Sequence, residues 1–316
     1  MARLSLVMAC SHSPFLFTDP AIWNDIRAKR PLREDVPHDS VETNREKFDR
    51  CLKGFGALKS KVEEVRPDVL IIFGDDQLEL FDYNNMPALG IFIGEGFEGY
   101  RTVAASTPSV PGAPKQRKPR TPEHWTKVKG HPELARQLLG GLMDRGFDMA
   151  FSQDLPNKDR GMGHAFMRPP HYITPQYDIP VVPIFVNCYY PPQPSARRCY
   201  QLGKAVGELI EESPLDLKVA VLGSGGLWHT PMAKDAYLNE EFDRETLEAI
   251  EAGDARRMAE HFDRGTPEGL TVGGTGETRN WICAAAAADG RPGKVVDYVP
   301  VYASPCGASF AYWDRL

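Results

Sequence analysis

The chain has 316 residues, and its 37 Lys and Arg against 43 Asp and Glu leave a formal net charge of −6. That balance argues against a nucleic-acid binder, which carries a basic surplus, and no run approaches the ~20 apolar residues of a membrane span. With 42% hydrophobic and 25% charged residues, the composition is that of a globular protein with a sizeable core.

The first ten residues, Met1 to Cys10, hold one basic residue and a short apolar stretch. They read as a first strand and not as a secretion signal. Further strands are expected at Val69–Phe73, Ala88–Gly94, Met149–Ser152, Val181–Val186, Val219–Leu222 and Val299–Ala303, after Leu4–Cys10 itself. Most are nearly continuous apolar runs, the pattern of strands covered on both faces.

Helical periodicity separates them. After Asp39-Ser40, Val41, Phe48, Cys51, Leu52, Phe55, Leu58 and Val62 recur at three- and four-residue spacing, with Glu42 in a capping-box-like start. Pro132 suits a first helical turn and is followed by Leu134, Leu138, Leu139 and Leu142; Ser195 can cap a helix whose inner face is Cys199, Leu202, Val206, Leu209 and Ile210. Two more helices are expected from about Glu241 to Phe262 and from Glu277 to Ala288. Strands alternating with helices predict an α/β fold with a central, mainly parallel or mixed sheet flanked by helices. No linker or repeat divides the chain, so one domain over residues 1–316 is expected.

Pro (27) and Gly (28) together exceed their average share of roughly 12%, which predicts long irregular loops. The least regular stretch is Thr107–Pro122, with five prolines and four basic residues. It reads as a solvated excursion, or as a lid or subunit-contact arm. The six cysteines (Cys10, Cys51, Cys188, Cys199, Cys283, Cys306) show no metal spacing and read as reduced thiols. A soluble cytoplasmic protein is expected.

Several chemically capable side chains fall at strand ends, where open α/β sheets bind ligands. His12 follows the first strand, Asp75-Asp76-Gln77 follows Val69–Phe73, and His229 closes Gly223-Ser224-Gly225-Gly226-Leu227-Trp228-His229 after Val219–Leu222. His164, in Gly161-Met162-Gly163-His164, follows Met149–Ser152. Singly, each has a structural reading: a histidine that only hydrogen-bonds, glycines that only turn, aspartates that cap a turn. Glu240-Glu241-Phe242-Asp243 likewise reads as a helix start favoured by the macrodipole. The case for a site is their combination. Gly223-Ser224-Gly225-Gly226 is not a G-x-S-x-G elbow, no G-x-G-x-x-G opens a helix after the first strand, and no HExxH is present.

Together these residues resemble the class III extradiol ring-cleavage dioxygenases, in particular the catalytic β subunit of protocatechuate 4,5-dioxygenase and its gallate-cleaving relatives. Supporting stretches are Arg66-Pro67-Asp68-Val69 leading into Gly74-Asp75-Asp76-Gln77, Lys129-Gly130-His131-Pro132-Glu133-Leu134, Asn187 with Tyr190-Pro191-Pro192, Arg198-Cys199, Gly223–His229 and Glu241-Phe242-Asp243. The resemblance implies a ferrous ion held by two His and one Glu, with positions open for substrate and dioxygen. Carried over, His12 is the first His ligand, Glu241 the Glu ligand, His229 the catalytic base, and His164 a second active-site His near dioxygen and substrate.

Where the family has Asp-His, this chain has Asp76-Gln77. Gln77 at the second His position offers only an amide oxygen. A register shift by one brings Asp76 instead, giving one His and two carboxylates, which suits Mn(II) as well as Fe(II). The implied partners are a catechol-type aromatic and O2, with self-association or a small second subunit to complete the enzyme. The alternatives are the same scaffold with a different metal or none, His229 and His164 acting as acid and base in hydrolase- or lyase-like chemistry, or a non-catalytic subunit.

Overall fold

The computed structural model describes residues 1–103, 117–230, 233–265, 274–288 and 290–314. In chain order the elements are β1 (Arg3–Cys10), α1 (Trp23–Arg27), α2 (Val41–Val65), β2 (Val69–Gly74), β3 (Leu89–Phe92), β4 (Gly96–Tyr100), β5 (Trp125–Lys129), α3 (Pro132–Asp144) and β6 (Ala150–Ser152). There follow α4 (His164–Ile173), β7 (Val181–Val186), α5 (Ala196–Glu212), β8 (Lys218–Ser224), α6 (Glu240–Glu251), α7 (Ala255–Gly265), α8 (Thr278–Ala287), β9 (Lys294–Val301) and β10 (Cys306–Trp313).

Eight strands form one mixed sheet in the order β6-β3-β7-β2-β8-β1-β10-β9. The central four, β7, β2, β8 and β1, are mutually parallel, so their carboxyl ends share one edge. β3 runs antiparallel to β7, and β10 antiparallel to β1. Alternate side chains of the central strands enter separate cores. Val7, Ile71, Val182 and Val221 meet α3, α5, α6, α7 and α8, whereas Met8, Ile72 and Leu222 meet α2 and α4. Helices on both faces explain why these strands read as unbroken apolar runs.

The expected caps are present: the Ser40 side chain accepts from Thr43 N–H, and Ser195 from Arg198 N–H, both at 3.1 Å. Two expectations change, and one ribbon is added. The helix expected over Glu241–Phe262 breaks at Gly253-Asp254, where Asp254 accepts from Arg257 N–H at 2.8 Å and starts α7. The strand expected at Val299–Ala303 is the end of a longer hairpin, β9–β10, whose second arm, rich in small residues, carries a weak strand signal. The β4–β5 ribbon was likewise not signalled. Residues 104–116, most of the proline-rich excursion, lie outside the described residues; at its end Arg120 stacks over Trp125, 4.2 Å from the ring centroid.

α8 is buried along its whole length and packs against α5 at very close range. A Cβ on Gly203 would lie 2.0 Å from the backbone oxygen of Cys283, so only glycine permits this approach. Gly203→Ala should therefore force α5 and α8 apart at a cost of about 1–3 kcal/mol, read as a lower urea midpoint at unchanged m-value. A substitution as mild as an exposed one would show that the helices are not in this contact.

Candidate metal centre

At the shared strand edge, the turn after β1 delivers His12, the turn after β2 delivers Asp75, and the glycine turn after β8 leads to His229. His164 opens α4, and Glu277 stands immediately before α8. His12, Asp75, His164 and Glu277 are all buried, and each offers one ligand atom within 4.8 Å of the others.

The hydrogen bonds determine which imidazole nitrogens are bare. Ser224 Oγ donates to Ala165 O at 2.6 Å, so at 2.8 Å it accepts from His12 Nδ1–H. His164 Nδ1–H donates to Glu79 Oε2 at 2.6 Å. His229 Nδ1–H donates to the Leu227 carbonyl at 2.9 Å. A neutral imidazole with its proton on Nδ1 presents a lone pair at Nε2. His12 Nε2 and His164 Nε2 then face each other at 3.1 Å, and Glu277 Oε2 lies 3.4 Å from His12 Nε2 and 3.7 Å from His229 Nε2.

The carboxylates add to this convergence of acceptors. Glu277 accepts from Gly226 N–H at 2.7 Å and from the Tyr189 hydroxyl at 2.6 Å. Gly225 and Gly226 have φ of 111° and 64°, a backbone that glycine adopts without strain and that aims this N–H at Glu277. Burial works to raise the Glu277 pKa, but His12 and His229 in their charged forms, with the hydrogen bond from Tyr189, hold it well below the usual carboxylate range. Asp75 is 0% exposed, and neither oxygen has a hydrogen-bond partner among the described residues. Its pKa is raised by burial and by the charge of Glu277. The guanidinium of Arg168, buried beside Asp75, Glu79 and Glu277, donates to the His12 carbonyl at 3.2 Å. If all three acids are ionised, one guanidinium leaves a surplus of negative charge that a divalent cation would neutralise. Orphaned carboxylate oxygens and opposed imidazole lone pairs are the donor set such an ion requires.

The structure brings His12, His164 and His229 together but corrects the acid. Glu241 is exposed in the first turn of α6, where its charge suits the helix N-terminus, and Glu277 occupies the position facing His12. Asp76 is no substitute ligand. It turns back to accept the backbone N–H groups of Glu79, Leu80 and Phe81 at 3.0–3.2 Å, and burial and Glu79 push its pKa up to about 6. Gln77 lies at the rim, its Nε2 3.2 Å from Glu277 Oε1 and 3.3 Å from His164 Nε2. His164 does not come from a strand tip, because β6 runs antiparallel to the central strands; the loop 153–163 returns the chain to this edge. In the sequence pattern Glu277 reads only as a helix start. The available signal was an acid in Gly274-Thr275-Gly276-Glu277 ahead of the apolar run Trp281–Ala287, where a merely solvated first turn is out of place.

Residues 37–311 match the family described as the catalytic LigB subunit of aromatic ring-opening dioxygenase. This chain belongs to the LigB family. It is 34% identical to a gallate dioxygenase from Pseudomonas putida over 160 residues, 48% of this chain and 45% of that protein. It is 27% identical to a 2,3-dihydroxyphenylpropionate/2,3-dihydroxicinnamic acid 1,2-dioxygenase from Photorhabdus laumondii over 281 residues, 74% of this chain and 79% of the relative. The chain thus spans under half of the gallate enzyme. The crystal structure of uncharacterized protein JW3007 from Escherichia coli K12 aligns over 98% of this chain and 99% of that one, with TM-score 0.53 and 14% identity, a likeness of fold. His12 precedes the residues matched to LigB, so its place in the site stands on the geometry.

Two outcomes are expected of this LigB chain. Glu277→Gln should abolish tight Mn(II) binding in an equilibrium titration, while Glu241→Gln should leave it unchanged; the reverse result would restore Glu241 as the acid. Asp243, which accepts from Trp228 N–H at 2.8 Å and from the Tyr298 hydroxyl at 2.9 Å, supports the turn bearing His229, and burial pushes its pKa up to about 8. A carboxyl whose folded pKa exceeds its unfolded value contributes stability at low pH and loses it as pH rises through about 4 to 8. Asp243→Asn, which retains an acceptor for Trp228 and offers an N–H to Tyr298, should flatten that decline when urea midpoints are compared at pH 5 and pH 8. An unchanged slope would mean that Asp243 is ionised in the fold at both pH values.

Proposed function

We propose that this chain is a non-haem, Fe(II)-dependent extradiol dioxygenase that opens the ring of a catechol-type aromatic with O2. The observation that carries the reading is the convergence of three bare imidazole nitrogens and two buried carboxylates in a LigB chain. His12 and Glu277 are the ligands this reading requires. A ferrous ion, when bound, couples electron flow between ring and dioxygen.

The chain's own residues manage the proton. His229 Nε2, bare and next to Glu277, takes a phenolic proton from the diol, and the Leu227 carbonyl on Nδ1–H holds the ring in the basic tautomer. The imidazolium so formed lies 3.7 Å from Glu277 Oε2, which stabilises it. Thr275 Oγ1, accepting from His229 N–H at 3.0 Å, ties the base to the segment that carries Glu277. Cleavage beside the diol gives a ring-opened semialdehyde acid. The six cysteines are all free and buried, which supports a reducing, cytoplasmic setting. Among the described residues no helix is long and apolar enough to cross a membrane.

The test is oxygen uptake by protein reconstituted anaerobically with Fe(II) and offered a panel of substituted catechols. Uptake is expected with at least one. His229→Ala should lower kcat by roughly 10²- to 10⁴-fold, the usual contribution of a positioned acid or base, with iron content retained. No uptake across the panel would overturn the reading, and loss of iron from the variant would overturn the role of His229.

A further inference from the structure

We infer that the second imidazole ligand in this chain is His164, that Asp75 joins it, and that Gln77 stands outside the coordination sphere as a positioning residue for Glu277. The inference rests on the reading above that a metal binds here, and it departs from the ligand position implied by the Asp76-Gln77 pair.

His164 has the environment of a ligand. Its Nδ1–H is bound to the Glu79 carboxylate at 2.6 Å, and its own backbone N–H reaches the same oxygen at 3.1 Å. A carboxylate on the far nitrogen is the usual outer support of a metal-bound histidine, because it sets the tautomer and ring orientation. The near nitrogen then faces His12 Nε2 at 3.1 Å, with the rings at 81°. Two lone pairs at that distance repel unless a cation or a shared proton lies between them. Adjacent ligands on an octahedral ion with bonds of 2.0–2.1 Å stand about 3 Å apart. Asp75, whose oxygens have no hydrogen-bond partner among the described residues, has Oδ1 4.0 Å from His12 Nε2; a buried carboxylate without donors either holds a proton or meets a cation.

Gln77 is arranged as a donor. Its Nε2 faces two acceptors, Glu277 Oε1 at 3.2 Å and bare His164 Nε2 at 3.3 Å. Turning the amide over would set its oxygen against a carboxylate oxygen and a lone pair, so the surroundings determine the orientation. An amide NH2 has no lone pair to give a metal. With Tyr189, Gln77 holds Glu277 Oε1, leaving Oε2 toward His12.

The experiment uses the full chain, with Mn(II) affinity read from the EPR signal of the free ion and bound imidazoles counted by pulsed EPR of the Cu(II)-loaded protein. Wild type should show two imidazoles. His164→Gln should show one and weaken Mn(II) by about tenfold or more, and Glu79→Gln should keep two while weakening Mn(II) by roughly 10- to 100-fold. Gln77→Ala should keep two and retain the ion, weakening Mn(II) by no more than about tenfold through the freed Glu277. Circular dichroism confirms that each variant is folded, and the Glu79 variant carries the test should the His164 variant fail to fold. A single imidazole in the wild type, an unchanged count in His164→Gln, an unchanged affinity in Glu79→Gln, or loss of the ion in Gln77→Ala overturns this inference and leaves the dioxygenase reading standing. Failure of the wild type to bind either ion overturns both.

Discussion

The structure is organised around a concentration of hydrogen-bond acceptors that the neighbouring donors satisfy only in part. Each of three histidines gives its Nδ1 proton to a different acceptor (Ser224, Glu79, Leu227 carbonyl) and turns a bare nitrogen inward. Glu277 and Asp75 share that space with them. Buried acceptors facing one another are unfavourable in a low-dielectric interior. Arg168 offsets only part of the negative charge. The surrounding fold pays for this arrangement, and a cation is the simplest physical reason to maintain it.

The placement follows from backbone geometry. Parallel strands β1, β2 and β8 deliver His12, Asp75 and the turn to His229 at one edge because their carboxyl ends coincide. Glu277 arrives from another direction, on the turn that starts α8, the helix seated closely on α5 at Gly203. His164 is brought in by α4, whose residue Ala165 also accepts from Ser224, the group that orients His12. The two histidines are therefore coupled through one hydroxyl and one short stretch of helix.

The strand tips were legible because each central strand is an apolar run ending in polar residues, a pattern produced by burial on both faces. Glu241 was misplaced because an acid at the start of an amphipathic helix is favourable wherever that helix lies, and one-dimensional pattern does not say which helix start faces the strand edge. Glu79 and Tyr189 carried no signal: a glutamate in a turn and a tyrosine after a strand become support for His164 and Glu277 only once α4 and the start of α8 come to the same strand edge.

The amino-acid sequence by itself determined the α/β class, the main helices with their Ser40 and Ser195 caps, and the histidines that end up together, because period, capping and strand-end polarity are local properties of the chain. Tertiary structure alone decided which acid joins them, that Asp75 turns inward while Asp76 turns back to its own loop, and that Gln77 meets Glu277 as a donor. Those choices depend on distances between segments as far apart as 200 residues along the chain, and on which nitrogen of each imidazole its neighbours leave bare.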